Sequence, residues 1–227
     1  MGLKWLWFDL DNTLLDFSTA SKKAFDSLLT ELDVEQGADT YSVYSKINGS
    51  LWKRFEAEEI TAVEIRVQRF SLLFDEIGLK GTDGLAANNI YMDKLIQYSE
   101  AYNGVNELLN RLKEKYKLSI ITNGLKEAQR PRLHKTGIYD YFDSIVVSDE
   151  IGFSKPNAGI FEHTLHSIQN PPLKDQIMII GDSPNSDIRG GLQFGIKTCF
   201  VSHSKEANNE YPADLVIDNV LELERHL

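Results

Sequence analysis

The sequence predicts an α/β protein of the Rossmann-like class, with a doubly wound parallel sheet and an inserted α-helical cap domain. Three observations indicate this class: short continuous apolar runs, helix-like segments between them from residue 104 onward, and a long earlier stretch without strands. Apolar runs that do not alternate with polar residues are typical of parallel strands covered on both faces. Strands that alternate with helices favour an open, doubly wound sheet.

The predicted strands are brief and rich in isoleucine, valine or aromatic residues. Five are clear, and a sixth is weaker. In chain order they lie at Leu3–Phe8, Leu118–Thr122, Ile145–Val147, Ile177–Ile180, Thr198–Val201 and, for the weaker one, Leu215–Ile217. Segments such as Val105–Lys115 and Ala158–Ile168 have the apolar spacing of helices and separate the later strands.

Residues 17–100 interrupt this alternation of strands and helices. They contain four helix-like segments, in which apolar residues recur at helical spacing. Thr61 and Glu64 have the spacing of a capping box at the start of one segment. We therefore expect residues 1–16 and 101–227 to form the α/β core, and residues 17–100 to form a helical cap domain.

Charge and apolar content limit the partners that the protein can have. The chain of 227 residues has 24 Lys and Arg against 34 Asp and Glu, a net charge of −10. An acidic surface repels nucleic acid and anionic lipid at long range. The longest apolar stretches fall well short of the roughly 20 residues of a membrane-spanning helix, and the first residues do not resemble a signal peptide. We expect a cytoplasmic protein without nucleic-acid or membrane partners, and nothing in the sequence implies a protein partner.

Two carboxylates directly follow the first predicted strand. Asp9 and Asp11 lie two residues apart, so their side chains can share a face at the carboxyl end of that strand. Carboxylates this close repel each other unless a cation neutralises them. Magnesium prefers hard oxygen ligands and fits such a pair. A solvated turn after an edge strand is the alternative interpretation.

A second acidic pair follows another buried run. Asp182 and Asp187 come after Ile177–Ile180, although Asp and Pro are also common at the start of a helix. In open α/β sheets, ligands bind outside the carboxyl ends of the strands. Both acidic pairs are therefore predicted to lie at one edge of the sheet.

Two further segments offer groups that can bind an anion. Thr122 ends the second predicted strand, and its hydroxyl is followed by backbone amides at an expected helix start. Lys155 lies in a loop just before Pro156 and supplies a cation. A carboxylate nucleophile, an acid or base, a hydroxyl, a lysine and a metal site form one coherent set.

These four motifs, in this order, resemble those of the haloacid dehalogenase-like phosphohydrolase superfamily. The resemblance covers essentially the whole chain, because the helical insertion stands where that family has its α-helical cap. It implies the strand order 3-2-1-4-5, with the first strand beside the fourth. It also implies an Mg²⁺ cofactor and a small phosphorylated metabolite as substrate.

The resemblance implies a role for each acidic residue. Asp9 would attack phosphorus and become an aspartyl phosphate, and Asp11 would act as the general acid and base. Asp9, the backbone carbonyl of Asp11 and Asp182 would hold Mg²⁺. Asp187 would act from outside the ligand set, through water or by orienting Lys155.

The phosphoryl oxygens would be held by Thr122, Asn123 and Lys155, according to the same resemblance. Asp11 and Asp182 also separate phosphate chemistry from dehalogenation. Haloacid dehalogenases do not use an acid at the position of Asp11 and lack the second Asp. The presence of both favours a phosphatase.

Three segments narrow the resemblance further. Ile121–Leu133, Thr136–Asp143 and Asn48–Trp52 are similar to those of bacterial 5′-nucleotidases that act on pyrimidine nucleoside monophosphates, including non-standard ones. Phe17 and Trp52 are candidates to stack on a base, although a cap also needs aromatic residues for its own packing.

Other functions remain open from the sequence. A sugar-phosphate phosphatase, for example one for an acylneuraminate phosphate, has very similar motifs, and a phosphosugar mutase is a further alternative. A phosphate-binding regulatory protein without catalysis is the alternative outside enzymes, but such a protein would be expected to have lost Asp9, Asp11 or Lys155.

Overall fold

The computed structural model describes residues 2–35, 37, 39–203 and 211–227 of the chain. Contacts between Cα atoms divide the chain into two compact units. One unit consists of Met1–Phe17 and Glu100–Leu227, and the other of Ser18–Ser99. None of the helices in the described ranges is both long and apolar enough to cross a membrane.

The helical unit is built from four helices that bury one apolar face each. They are α1 (Phe17–Glu31), α2 (Thr40–Glu56), α3 (Ala62–Glu76) and α4 (Gly84–Tyr98). The capping box predicted at the start of α3 is confirmed, because Thr61 accepts from the Glu64 backbone and the Glu64 side chain accepts from the Thr61 backbone.

Aromatic rings fill the centre of the helical unit. Tyr44 stacks on Phe25 and Phe70 with ring centroids 4.8 and 5.3 Å apart, and Tyr91 lies 5.3 Å from Phe70. Buried Arg69 lies over the Tyr91 ring and donates to the Asn88 side chain at 2.8 Å. Each helix therefore contributes to a shared aromatic core.

The α/β unit contains a parallel sheet of six strands in the order β3-β2-β1-β4-β5-β6. The strands are β1 (Trp5–Phe8), β2 (Lys117–Thr122), β3 (Ser144–Val147), β4 (Ile177–Gly181), β5 (Lys197–Val201) and β6 (Leu215–Ile217). The predicted order of the first five strands is confirmed, and β6 continues the sheet beyond β5. In the register of the sheet, Phe8 lies beside Ile120 of β2 and Ile180 of β4.

Helices and short helical turns connect these strands. The α-helices are α5 (Val105–Leu112), α6 (Lys126–Lys135), α7 (Ser148–Ile151), α8 (Ala158–Ser167) and α9 (Arg189–Phe194). A π-helical turn, Pro184–Ile188, precedes α9, and 3₁₀ turns lie at Tyr139–Tyr141, Lys174–Gln176 and Val220–His226. Ser183 caps the π-helical turn by accepting from the Ser186 backbone at 3.2 Å.

Both faces of the sheet are covered, which explains why its strands are continuously apolar. Along β1, Leu6 and Phe8 join the core on one face, and Trp7 joins the core on the other. All three side chains are fully buried. Cys199 of β5 is also buried, and burial raises the pKa of its thiol to about 12. This thiol is therefore part of the core.

Candidate active site

The site begins where β1 ends. The Asp9 backbone N–H donates to the Ile180 carbonyl of β4 at 2.9 Å, which fixes the residue at the carboxyl edge of the sheet. The Asp9 side chain is almost fully buried, and the Thr13 hydroxyl lies 3.4 Å from its Oδ2. Asp182 directly follows β4, the neighbouring strand, so both acidic motifs meet at one edge.

Three carboxylates meet at this edge. Asp9, Asp182 and Asp187 each offer an oxygen, and these oxygens lie within 4.8 Å of one another. Burial raises the pKa of Asp9 well above its usual value; Lys155 lowers this pKa, while Asp187, Asp182 and Asp11 raise it. A cluster of hard oxygen donors that repel one another fits a divalent cation such as Mg²⁺.

Asp187 is held by protein donors at both of its carboxylate oxygens. Its Oδ1 accepts from Lys155 Nζ at 2.6 Å, and its Oδ2 accepts from the Ser183 backbone at 3.0 Å. It is also fully buried. With a protein donor on each oxygen, Asp187 is placed to orient Lys155 and the loop after β4.

Lys155 is a buried cation between two of these carboxylates. Its Nζ lies 2.7 Å from Asp9 Oδ1 and 2.6 Å from Asp187 Oδ1, and only 1% of its side chain is exposed. Burial alone would lower the pKa of Lys155, but Asp187 and Asp9 more than offset this and raise it above its usual value. The ammonium therefore stays charged beside the Asp9 carboxylate.

Asn123 holds the loop that carries Lys155. Its Oδ1 accepts from the Lys155 backbone N–H at 2.7 Å, and its Nδ2 donates to the Lys155 carbonyl at 2.8 Å. The Asn123 amide thus fixes the lysine backbone from both sides. A contact between Asn123 and a phosphoryl group would come from its backbone N–H instead.

Asp11 is not one of these three carboxylates, and it pairs with Arg132 instead of Lys155. Its carboxylate forms an ion pair with Arg132 of α6 at 2.6 Å and accepts from Gln129 Nε2 at 3.2 Å. About a quarter of its side chain is exposed. The same Gln129 amide donates to the Thr122 hydroxyl at 2.8 Å. Asp11 and Thr122 are therefore joined through one helix.

The contacts of Gln129 and Arg132 were not predicted from the sequence. Both residues lie in the Ile121–Leu133 segment, three positions apart, and therefore on one face of a helix. This helix is strongly polar, so its residues look solvent-exposed in the sequence. Both side chains are nevertheless 99% buried.

The two aromatic candidates lie in different units. Phe17 belongs to the α/β unit, and the Arg132 guanidinium lies over its ring at 5.6 Å from the centroid. Trp52 belongs to α2 of the helical unit and packs edge-on against Phe55, with ring centroids 5.6 Å apart. The α/β unit thus brings together the other predicted site residues with Phe17, and Trp52 is part of the helical unit.

Known proteins are similar to this chain in sequence and in fold. A family model described as haloacid dehalogenase-like hydrolase matches residues 6–201. The pyrimidine 5′-nucleotidase YjjG of Escherichia coli (strain K12) is 29% identical, covering 100% of this chain and 99% of YjjG. The pyrimidine 5′-nucleotidase PynA of Streptococcus pneumoniae (strain ATCC BAA-255 / R6) is 36% identical, covering 87% of this chain and 83% of PynA.

A solved structure has the same fold as this chain. The structure of the HAD-hydrolase YfnB from Bacillus subtilis, which is bound to magnesium, superposes with a TM-score of 0.94 at 30% identity. The match covers 100% of this chain and 99% of the YfnB chain.

Proposed function

The chain belongs to the haloacid dehalogenase-like hydrolase family, and we propose that it is a magnesium-dependent phosphatase of pyrimidine nucleoside monophosphates. The observation that carries this proposal is the position of Asp9. Its buried carboxylate lies at the carboxyl edge of the sheet, 2.7 Å from the Lys155 ammonium and within a group of three carboxylates. A nucleophile, a cation for an incoming phosphoryl group and oxygen ligands for a metal therefore meet at one place.

The reaction divides into two transfers. An Asp9 oxygen forms a bond to phosphorus while the bond to the leaving ester oxygen breaks, and Asp11 supplies the proton that this oxygen needs. Water then attacks the phosphorus of the aspartyl phosphate, Asp11 takes its proton, and the Asp9 carboxylate is restored. Lys155 and Thr122 bind the phosphoryl oxygens throughout. Mg²⁺, held by Asp9, the Asp11 carbonyl and Asp182, would neutralise charge between the anionic groups.

Two lines of support favour pyrimidine nucleotides as substrates. YjjG and PynA, which match this chain over most of its length, are named as pyrimidine 5′-nucleotidases. The α/β unit, which contains the candidate active site, also includes Phe17, and the Arg132 guanidinium lies over the Phe17 ring at 5.6 Å from its centroid. A base that stacks on an aromatic ring gains about 1–3 kcal/mol. We further propose that residues 17–100 act as the cap domain and that Trp52 contributes to base binding.

A panel of phosphate esters tests the proposed substrate. Phosphate release would be measured from pyrimidine and purine nucleoside monophosphates, from sugar phosphates and from p-nitrophenyl phosphate, first with magnesium and then with a chelator. We expect the highest kcat/KM for a pyrimidine monophosphate. Preference for a sugar phosphate would be consistent with the proposed phosphatase chemistry but would contradict a pyrimidine nucleotide as the substrate.

Alanine variants of the two aromatic residues refine the same measurement. Phe17→Ala and Trp52→Ala should each lower kcat/KM for the nucleotide by about 5- to 150-fold, the equivalent of one lost stacking contact. The values for p-nitrophenyl phosphate, which has no base, serve as the control and should change much less. An equal loss on both substrates would show that the rings support the fold and do not bind the base.

A further inference from the structure

Gln129 is a buried polar residue that touches two members of the site. Its Nε2 donates to Thr122 Oγ1 at 2.8 Å and to Asp11 Oδ2 at 3.2 Å. Its Oε1 accepts from Arg132 at 2.7 Å, and only 1% of the residue is exposed. The side-chain amide therefore has a partner at each end, and each partner has a definite hydrogen-bonding character.

Those partners fix which way the amide faces. A guanidinium only donates hydrogen bonds, so Arg132 must meet the amide oxygen. The Asp11 carboxylate, which Arg132 pairs at 2.6 Å, accepts hydrogen bonds, so it must meet the amide nitrogen. Reversing the amide would place an oxygen against Asp11 and an NH₂ group against Arg132. Two charged side chains therefore determine that Thr122 receives an N–H from Gln129.

The Thr122 hydroxyl has a second donor. The Gly124 backbone N–H donates to the same Oγ1 at 3.2 Å. A threonine hydroxyl has two lone pairs to accept with and one proton to donate. Because Gln129 and Gly124 occupy the accepting positions, the hydroxyl proton is directed elsewhere. Thr122 can then act toward a third group only as a donor.

The missing side chain of Gly124 leaves the space that the Gln129 side chain occupies. A Cβ on Gly124 would overlap with the Nε2, Cδ and Cγ atoms of Gln129. The side chain of Gln129 therefore passes against Gly124 on its way to Thr122, and any larger residue at position 124 would displace it. This close approach shows that the amide is packed into its position.

We propose that Gln129 is a positioning residue that makes Thr122 a dedicated hydrogen-bond donor to a phosphoryl oxygen, with Arg132 holding the amide in the required orientation. The inference rests on the proposed phosphoryl transfer at Asp9. Its chemical basis is that a donor aimed in advance at a developing negative charge needs no reorientation during the reaction. The same amide binds Asp11, so the acid and the phosphate-binding hydroxyl share one support.

A double-mutant cycle tests this coupling. Gln129→Glu keeps the shape but replaces the N–H donor with an acceptor, so the Thr122 proton should turn toward Glu and away from phosphate. Thr122→Val removes the hydroxyl and should lower kcat by about 10²–10³-fold. Gln129→Glu alone should lower kcat and the affinity for inorganic phosphate by about tenfold or more.

The decisive quantity is the effect of Gln129→Glu when the hydroxyl is already absent. In the Thr122→Val background it should lower the phosphate affinity by a factor at least about threefold smaller than in the wild type, because the proton that it redirects is gone and only the added charge beside Asp11 still opposes phosphate. Calorimetric titration of the magnesium-loaded protein with inorganic phosphate gives this number. Losses that simply multiply in the double variant would overturn the inference.

Two further variants separate positioning from stability. Gln176→Glu places the same change at another buried glutamine, which accepts from the Leu173 backbone at the amino end of β4, and should leave phosphate affinity unchanged. Gly124→Ala should displace Gln129 without removing any hydrogen-bonding group, and so decides the question if Gln129→Glu does not fold. An equal effect of Gln129→Glu and Gln176→Glu would contradict the proposal.

Phosphate binding also distinguishes this inference from the proposed function. If the wild type binds inorganic phosphate but releases none from any ester, the phosphatase proposal fails while the cycle still decides the role of Gln129. If turnover is present but the two residues act independently, the phosphatase proposal stands and the inference fails.

Discussion

At the scale of single residues, charge balance decides how the site is built. The Lys155 ammonium lies 2.7 Å from Asp9 and 2.6 Å from Asp187, and all three groups are buried. A buried carboxylate without a cation destabilises the folded state, so the lysine stabilises both acids in the absence of a substrate. The cation that would bind a phosphoryl group therefore also supports the folded state.

Removing this cation should destabilise the protein strongly. Lys155→Met should lower the free energy of unfolding by about 3–5 kcal/mol, because two buried carboxylates lose their partner. The double variant Lys155→Met/Asp187→Asn should recover part of this loss, since one of the two charges is gone. Urea denaturation in the presence of a chelator measures both values.

A surface ion pair provides the matched control. Lys117 pairs with Asp143 at 2.7 Å, but 62% of its side chain is exposed. Lys117→Met should therefore cost no more than about 1 kcal/mol. Similar losses for the two lysine variants would show that burial of Lys155 adds nothing to the pair.

At the scale of elements, the end of β4 and the π-helical turn pack against each other at the candidate site. Gly181 ends β4, and the turn Pro184–Ile188 brings Asp187 back against it. A Cβ on Gly181 would overlap with the Asp187 carboxylate. The strand must therefore end in glycine for Asp187 to reach both Lys155 and the Ser183 backbone.

Alanine at two glycines should have opposite effects. Gly181→Ala should push Asp187 away from Lys155, lower the free energy of unfolding by about 1–3 kcal/mol and reduce turnover. Gly49 lies inside α2 with no atom near its missing Cβ. Gly49→Ala should therefore raise stability by up to about 1 kcal/mol and leave turnover unchanged. Thermal unfolding and phosphate release measure both effects, and a tolerated Gly181→Ala would contradict the packing argument.

The strands could be predicted because burial on both faces leaves a continuous apolar pattern, as in Ile177–Ile180. Their ends could not, because pairing sets them: β1 begins at Trp5, where the register with Lys117 and Ile177 starts, and not at Leu3. Asp9 and Asp182 could be placed together because each follows a strand. Gln129 could not, because its burial arises from packing of α6 that no local pattern records.

At the scale of the whole molecule, the chain leaves the α/β unit and returns to it at one place. The Asp16 backbone N–H donates to the Glu100 carbonyl at 3.0 Å, and the Tyr102 N–H donates to the Leu14 carbonyl at 3.0 Å. The two connecting segments are thus paired within the α/β unit. Each unit also has its own apolar core, so the helices can be inserted without interrupting the sheet.

Tyr102 links this junction to the acidic site. Burial, followed by the carboxylates of Asp16, Asp182 and Asp11, raises the pKa of its phenol to about 12. The phenol therefore stays neutral at physiological pH beside these acids. Carboxylates of the candidate site therefore act on Tyr102, which lies where the two connecting segments pair.

One comparison of variants tests whether Asp9 carries out magnesium-dependent phosphoryl transfer. Phosphate release would be measured for the wild type, Asp9→Asn and, as a matched control, Asp175→Asn, whose aspartate is exposed near the amino end of β4. Each protein would be assayed with magnesium and with a chelator. We predict that the wild type and Asp175→Asn release phosphate only with magnesium, and that Asp9→Asn releases none although it remains folded. Retained turnover in Asp9→Asn, or release that is unaffected by the chelator, would contradict it.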